Sequence, residues 1–206
     1  IYLLITLTIE DKINLYQDNY VTKIIGFVIG ALIIGIVCFI DDVKGVPALG
    51  KLFAQIAAAL VVIKCGIRID NLDIPFLNLD NAGEAFYVLL TLGWIVGITN
   101  AMNLIDGLDG LSTGISLIAC VSLLIIFSLN GSPLISIVLI TALAGALCGF
   151  LPYNFNPAKT FIGDTGSNFL GYCLSIISIL GIAKTYTAIV IVAPIMVLAL
   201  PIFDTL

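Results

Sequence analysis

Of 206 residues, 61% are hydrophobic and 10% charged, with a mean hydropathy of +1.21, so the chain cannot present the polar surface that a water-soluble domain of this size needs. A formal net charge of -5, with only 8 Lys and Arg, excludes the concentrated basic surface of a nucleic-acid binder. Histidine is absent, which excludes imidazole metal ligands and His-based acid–base pairs and leaves any chemistry to carboxylates, amides, lysine and backbone.

A membrane-crossing helix needs roughly 20 apolar residues, and on that measure the chain reads as an all-α polytopic membrane protein with about seven spans. They fall near Thr22 to Ile40, Leu49 to Ile67, Glu84 to Ile98, Leu111 to Leu129, Pro133 to Phe150, Ser167 to Ala183 and Tyr186 to Phe203. Ile1 to Ile9 read as the tail of a further helix, because the chain opens inside an apolar run without a signal-peptide n-region. Pro201 to Leu206 stop as a helix leaves the bilayer, so truncation at both ends is expected. Between the second and third spans, Arg68 to Asn81 alternate apolar and polar residues around Pro75, which predicts a small β-hairpin outside the bilayer. No repeat or linker divides residues 1–206, so a single membrane domain is expected. The 5 cysteines, Cys38, Cys65, Cys120, Cys148 and Cys173, are scattered without metal-ligand spacing and read as small buried hydrophobes.

Alternating crossings bring Asp41 to Gly50, Asn100 to Gly110 and Leu151 to Gly166 out on one face, with Asp204 onward, and put Arg68 to Asn81, Asn130 to Ser132 and Lys184 on the other. All three acidic clusters thus share a face. A carboxylate at the hydrocarbon boundary costs a few kcal/mol unless a cation, a partner or water compensates it, so repeated placement on one side points to a shared polar site with a divalent metal as the compensator. The Lys and Arg bias runs against calling that face cytoplasmic: Lys44, Lys51 and Lys159 lie on it, while Lys12, Lys23, Lys64, Arg68 and Lys184 lie opposite.

In the first cluster, Asp41 and Asp42 are adjacent and point about 100° apart on a helix, so they cannot do identical jobs. One is expected to face a metal or substrate while the other orients Lys51 or Lys44. The plainer alternative is a solvated helix end, although acids are disfavoured at the C-terminal end of the helix dipole. In the second cluster, Asn100, Asn103, Asp106 and Asp109 recur every third residue, which predicts one polar ridge that Gly107 and Gly110 allow to bend. Such a ridge suits ligand binding; its structural alternative is hydrogen bonding between neighbouring helices. In the third, Tyr153 to Ser167 form a polar loop that leads into a helix. Asp164 there could be a simple N-cap, but the same helix N-terminus favours a phosphate, Lys159 supplies a cation, and Asp164 with Mg²⁺ would make an octahedral oxygen site.

Together these motifs resemble the polyprenyl-phosphate N-acetylhexosaminyl-1-phosphate transferases, integral membrane enzymes that move a sugar phosphate from a UDP-sugar to a lipid phosphate. The resemblance runs from Asp41-Asp42 through Asn100 to Leu111 and Asn154 to Gly171 to Pro201-Ile202-Phe203-Asp204. It implies Asp41, Asp42 and Lys51 as catalytic residues near the lipid phosphate, with Lys51 neutralising phosphate, and Asp164 as the ligand of Mg²⁺ or Mn²⁺. It further implies Asn100, Asn103, Asp106, Asp109 and Lys159 lining the nucleotide-sugar site and Phe161 stacking on uracil. The partners so implied are a UDP-N-acetylhexosamine, a polyprenyl phosphate and the plasma membrane, with the site facing the cytoplasm and room for a homodimer. An early Pro-Thr-Gly-Gly-like loop would precede residue 1, and a His-containing sugar-selecting loop would follow Leu206. Asn156-Pro157-Ala158-Lys159 and Gly163-Asp164-Thr165-Gly166-Ser167 look closer to the N-acetylglucosamine-1-phosphate branch than to the phospho-N-acetylmuramoyl-pentapeptide transferases. The implied reaction is attack of the lipid phosphate on the β-phosphorus, releasing UMP; direct displacement is favoured because a phosphate monoester is mostly a dianion at neutral pH. An ion-coupled transporter is the rival of another class, but it predicts carboxylates near mid-helix.

Overall fold

The computed structural model describes residues 19–70 and 83–182, and among these the fold is entirely helical. Six helices follow in order: α1 (Tyr20–Lys44), α2 (Ala48–Lys64), α3 (Glu84–Ile105), α4 (Leu111–Leu129), α5 (Leu134–Asn154) and α6 (Gly163–Ile182). Four are long and apolar enough to cross a membrane: α1, α3, α4 and α5. The helix tail foreseen at Ile1 to Ile9 and the span foreseen at Tyr186 to Phe203 lie outside the described residues, as does the foreseen hairpin beyond Asp70.

The bundle is organised around α6, which packs against α1, α3, α4 and α5. From Leu170 through Gly181 every residue of α6 is buried, whereas the outer helices expose Phe39, Phe53, Leu89, Ile118 and Ile125. That inversion suits a lipid surround, in which apolar side chains gain nothing by turning inward and helices associate through close packing and hydrogen bonds. Both devices are present. Tyr172 donates its hydroxyl to the Phe27 carbonyl at 2.9 Å, tying α6 to α1, and the Trp94 indole N–H reaches the Ser178 hydroxyl at 3.1 Å, tying α3 to α6. Close approach depends on Gly171, where a Cβ would stand 2.6 Å from the Thr99 Cα and 2.9 Å from the Ile98 carbonyl oxygen.

The helices run further than the apolar stretches that predicted them. α1 continues through Lys44 rather than Ile40, α3 through Ile105 rather than Ile98, and α6 begins at Gly163 rather than Ser167. Hydropathy ends a span at the first polar residue, but the backbone ladder ends only where a turn breaks it. Gly45, at φ +72°, closes α1 by donating its N–H to the Asp41 carbonyl, and Gly163, at φ +66°, opens α6. Asp41, Asp42, Asn100 and Asn103 therefore sit on helices, as their spacing implied, and Asp164 lies inside the first turn of α6 rather than in the loop before it. The cysteine reading holds for Cys38, Cys120 and Cys173, which are buried; Cys148 faces outward, Cys65 is half-buried, and all five are free thiols.

Gly171→Val should lower the thermal unfolding midpoint in detergent, since overpacking a tight contact costs about 1–3 kcal/mol. Gly97→Ala, where the added methyl meets open space, is expected to leave that midpoint nearly unchanged in the same melt.

Candidate active site

Short connections and antiparallel neighbours bring the C-terminal ends of α1, α3 and α5 together with the N-terminal ends of α2, α4 and α6. The three acidic clusters expected on one face thus lie at the same end of the bundle. At their centre, the Lys51 ammonium lies 2.8 Å from Asp41 Oδ2 and 2.7 Å from Asp164 Oδ2, joining α1, α2 and α6. Asn103 on α3 donates its amide to Asp164 Oδ1 at 3.1 Å and to the Ser167 hydroxyl at 3.0 Å. Asp41 also accepts the Val46 N–H at 2.6 Å, which fixes the α1–α2 turn.

Asp42 does a different job, as its angle to Asp41 requires. Its carboxylate accepts the backbone N–H groups of Asp164 at 3.1 Å and Thr165 at 3.2 Å, together with the Thr165 hydroxyl. A side chain from α1 thereby caps the first turn of α6, where the orphan N–H groups and the helix dipole favour an anion. The N–H groups of Asp164 and Thr165, at the helix N-terminus where a phosphate was expected, are engaged by that carboxylate. Asp164 is not the N-cap of α6 but an acid in its first turn.

The anticipated polar ridge divides at Ile105. Asn100 and Asn103 lie on α3, Asp106 caps the helix end, and Asp109 lies in the turn that Gly110, at φ +74°, carries into α4. Asp106 accepts the Ser112 hydroxyl. Asp109 Oδ2 accepts the Ala158 N–H at 3.0 Å and the Asn156 amide at 3.3 Å, so the α3–α4 turn holds the α5–α6 loop. The same loop is fixed from within by buried Asn154, which accepts the Thr113 hydroxyl at 2.7 Å and donates to the Thr160 carbonyl at 2.9 Å. Lys159 and Phe161 project from this clamped loop; Phe161 is 75% exposed, and Lys159 forms no ion pair among the described residues.

Asp41, Lys51, Asn103 and Asp164 are thus in direct contact, with Asp42 joined through the α6 backbone. Asn100 is not in that layer: it lies one turn deeper, donating to Gln55 Oε1 at 2.6 Å and to the Val96 carbonyl at 2.9 Å. Gln55 and Asn168 were not foreseen as polar partners, and Thr165 and Ser167 were noted within the motif without a role of their own. A helical-spacing signal was present for three of them, since Gln55 follows Lys51 by one turn and Ser167 and Asn168 follow Asp164 by one turn.

The donor set is all oxygen and amide with an excess of negative charge, Asp41, Asp42 and Asp164 against Lys51, which is the chemistry of a hard cation. No three Asp, Glu or Cys side chains among the described residues gather into a closed metal cage. A cation of the Mg²⁺ kind still fits, because it keeps several waters and takes one or two carboxylates plus phosphate oxygens. Asp164 offers that attachment: its side chain is 38% exposed, and hydrogen bonds from Lys51 and Asn103 occupy only part of the roughly four acceptor directions of a carboxylate.

Fold and site together define a helical membrane protein whose carboxylate, lysine and amide groups meet where helix ends converge. The sequence model described as glycosyl transferase family 4 matches residues 24–182, and the chain belongs to that family. It is 43% identical over 185 residues to a probable undecaprenyl-phosphate N-acetylglucosaminyl 1-phosphate transferase of Bacillus subtilis, covering 89% of this chain and 51% of that protein. It is 38% identical over 191 residues to a phospho-N-acetylmuramoyl-pentapeptide-transferase of Staphylococcus haemolyticus, covering 86% and 59%, and 41% identical over 160 residues to its Staphylococcus aureus counterpart, covering 71% and 50%. The chain therefore spans between half and three-fifths of the length of these relatives.

Burial pushes the Asp106 carboxyl above its ordinary value of 3.8; the Ser112 hydroxyl opposes the rise and the charge of Asp164 adds to it. A folded-state pKa above the unfolded one means that protonation favours folding, so the stability contributed by this group is lost as pH rises from the ordinary carboxylate range through the folded value. Asp106→Asn should therefore melt at a higher temperature than the parent at pH 8, with the gap closing toward pH 4 in the same thermal assay.

Proposed function

We propose that the protein transfers N-acetylhexosamine 1-phosphate, specifically N-acetylglucosamine 1-phosphate, from a UDP-sugar to polyprenyl phosphate and releases UMP. The observation that carries this reading is Lys51 held between Asp41 and Asp164 at the joined helix ends, in a chain whose relatives are named for this class of transfer. On this reading α2 and α6 also cross the bilayer, segments beyond the described residues bring the spans to about seven, and the site opens on the cytoplasmic face of the plasma membrane.

The acceptor is an anionic lipid phosphate and the donor an anionic diphosphate, so the first requirement is compensation of charge. An ammonium has three donors, and Lys51 spends two on carboxylates, leaving one for a phosphate oxygen. Its side chain is 22% exposed, so substrate can reach it. Asp164 is the residue that would hold Mg²⁺ or Mn²⁺, which when bound would supply further neutralisation of the diphosphate. Asn103 keeps the Asp164 carboxylate oriented. Exposed Phe161 offers a face for uracil, and Lys159 beside it a cation for the nucleotide phosphates.

An acceptor phosphate oxygen forms the new P–O bond to the β-phosphorus as the bond to the UMP oxygen breaks, and no proton transfer is needed to make the nucleophile. Direct displacement is favoured over an aspartyl intermediate because neither carboxylate of the pair is a free nucleophile: Asp42 receives the N–H groups of α6, and Asp41 is held by Lys51 and Val46. The similarity to phospho-N-acetylmuramoyl-pentapeptide transferases keeps that sugar as the second reading. A transporter is disfavoured, since these acids sit at helix ends on one side rather than at mid-helix.

Asp164→Asn in the complete membrane protein should lower Mg²⁺-dependent UMP release by about 10²–10³-fold, on the scale of losing one aimed electrostatic group, while the purified protein stays monodisperse. Retained release at the parental rate would contradict the assignment. Paired assays with UDP-N-acetylglucosamine and the muramoyl-pentapeptide nucleotide are expected to give UMP only with the former.

A further inference from the structure

One helical turn beneath Lys51, Asn103 and Asp164, the same three helices meet again, this time through neutral amides. Gln55 on α2 is 2% exposed and Asn168 on α6 is 1% exposed, so both amides are withdrawn from solvent. Gln55 donates from Nε2 to Asn168 Oδ1 at 2.9 Å and accepts the Asn100 amide at Oε1 at 2.6 Å. Asn100 is anchored in turn on the Val96 carbonyl at 2.9 Å, and Asn168 donates to the backbone carbonyl of Asp164 itself at 2.8 Å. Each amide stands one turn from a member of the upper layer: Gln55 from Lys51, Asn100 from Asn103, Asn168 from Asp164.

We infer that Gln55 is a positioning residue, whose buried amide relay to Asn100 and Asn168 sets the rotation of α2 against α3 and α6 so that Lys51 meets Asp164. The physical basis is directional. An ammonium is a near-isotropic point charge that tolerates many approaches, whereas a buried carboxamide must satisfy both its acceptor and its donors in fixed directions or leave a polar group unpaired at about 1–3 kcal/mol. The amide layer therefore specifies one helix register, and the ionic layer above it inherits that register. Asn100, which the motif pattern grouped with substrate-binding residues, belongs to this relay. The kinetic arm of the test rests on the transferase reading; the chemical arm does not.

The experiment compares the complete protein in detergent with Gln55→Leu, the pair Gln55→Leu/Asn168→Leu, and the conservative Gln55→Glu. The chemical arm labels amines with N-hydroxysuccinimidyl acetate and follows Lys51 by mass spectrometry against exposed Lys64 on the same helix. Loss of the relay is expected to raise Lys51 labelling at least threefold relative to Lys64 in Gln55→Leu and in the pair, with Gln55→Glu intermediate, since it still accepts from Asn100 but can donate to Asn168 Oδ1 only when protonated. The kinetic arm measures UMP release per folded molecule: kcat should fall at least tenfold in Gln55→Leu with KM for the nucleotide sugar within twofold, and the Leu pair, although it leaves fewer unpaired amides and melts closer to the parent, should not recover kcat. Lys51 labelling unchanged in both Leu variants, or kcat per folded molecule restored together with melting temperature in the pair, overturns the inference. A parent that releases no UMP sinks the transferase reading, and the labelling result then decides the positioning role alone.

Discussion

The structure turns on a single ammonium shared by two carboxylates from helices far apart in sequence. Lys51 meets Asp41 and Asp164 within 2.8 Å of each, and those contacts span α1, α2 and α6. In bulk water such pairs contribute little, because solvation competes and side-chain entropy opposes them. At the rim of an apolar bundle the balance differs, since leaving any one of these charges unpaired costs far more than in water. The three residues therefore require one another, and their mutual need holds the helix ends where the chain's remaining polar chemistry can assemble.

Around that centre the polar groups divide the work without redundancy. Asp42 caps α6 from α1, so the helix that carries Asp164 is fixed at its first turn by the residue next to Asp41. Asp109 and Asn154 hold the α5–α6 loop on which Lys159 and Phe161 ride. Gln55, Asn100 and Asn168 hold the layer below. The site consequently has a hydrogen-bonded floor and a loop tied down at one wall, while Lys51, Asp164 and Phe161 remain accessible. An arrangement of this kind suits the proposed phosphoryl transfer, whose reacting groups bring their own nucleophile and leaving group and need charge compensation and alignment.

Much of this was legible in the chain because the bilayer makes charge conspicuous. Asp41, Asp42, Asp106, Asp109 and Asp164 stand out against apolar runs, and counting crossings was enough to place them on one face. What the chain hid follows from the same physics. Hydropathy ended α1, α3 and α6 short of the polar clusters, because the compensating partners come from other helices, although the spacing of Asn100 and Asn103 had already implied a helical turn. The role of Asp42 was likewise invisible: a cap supplied by a distant segment leaves no local capping pattern to read. Gln55 and Asn168 were missed because an amide inside an apolar helix carries no charge to draw notice, although their one-turn spacing from Lys51 and Asp164 encoded the second layer.

Energetic coupling between Lys51 and Asp164 is the property on which the site depends. A double-mutant cycle of Lys51→Met and Asp164→Asn, read as unfolding free energy in detergent under reversible conditions, measures this without substrate, metal or assay. Each single change should destabilise, and the double should cost less than their sum by at least about 1 kcal/mol, within the range seen for contacting charged pairs. Strict additivity would mean that the two side chains do not share an interaction, and the proposed centre of the site would be wrong.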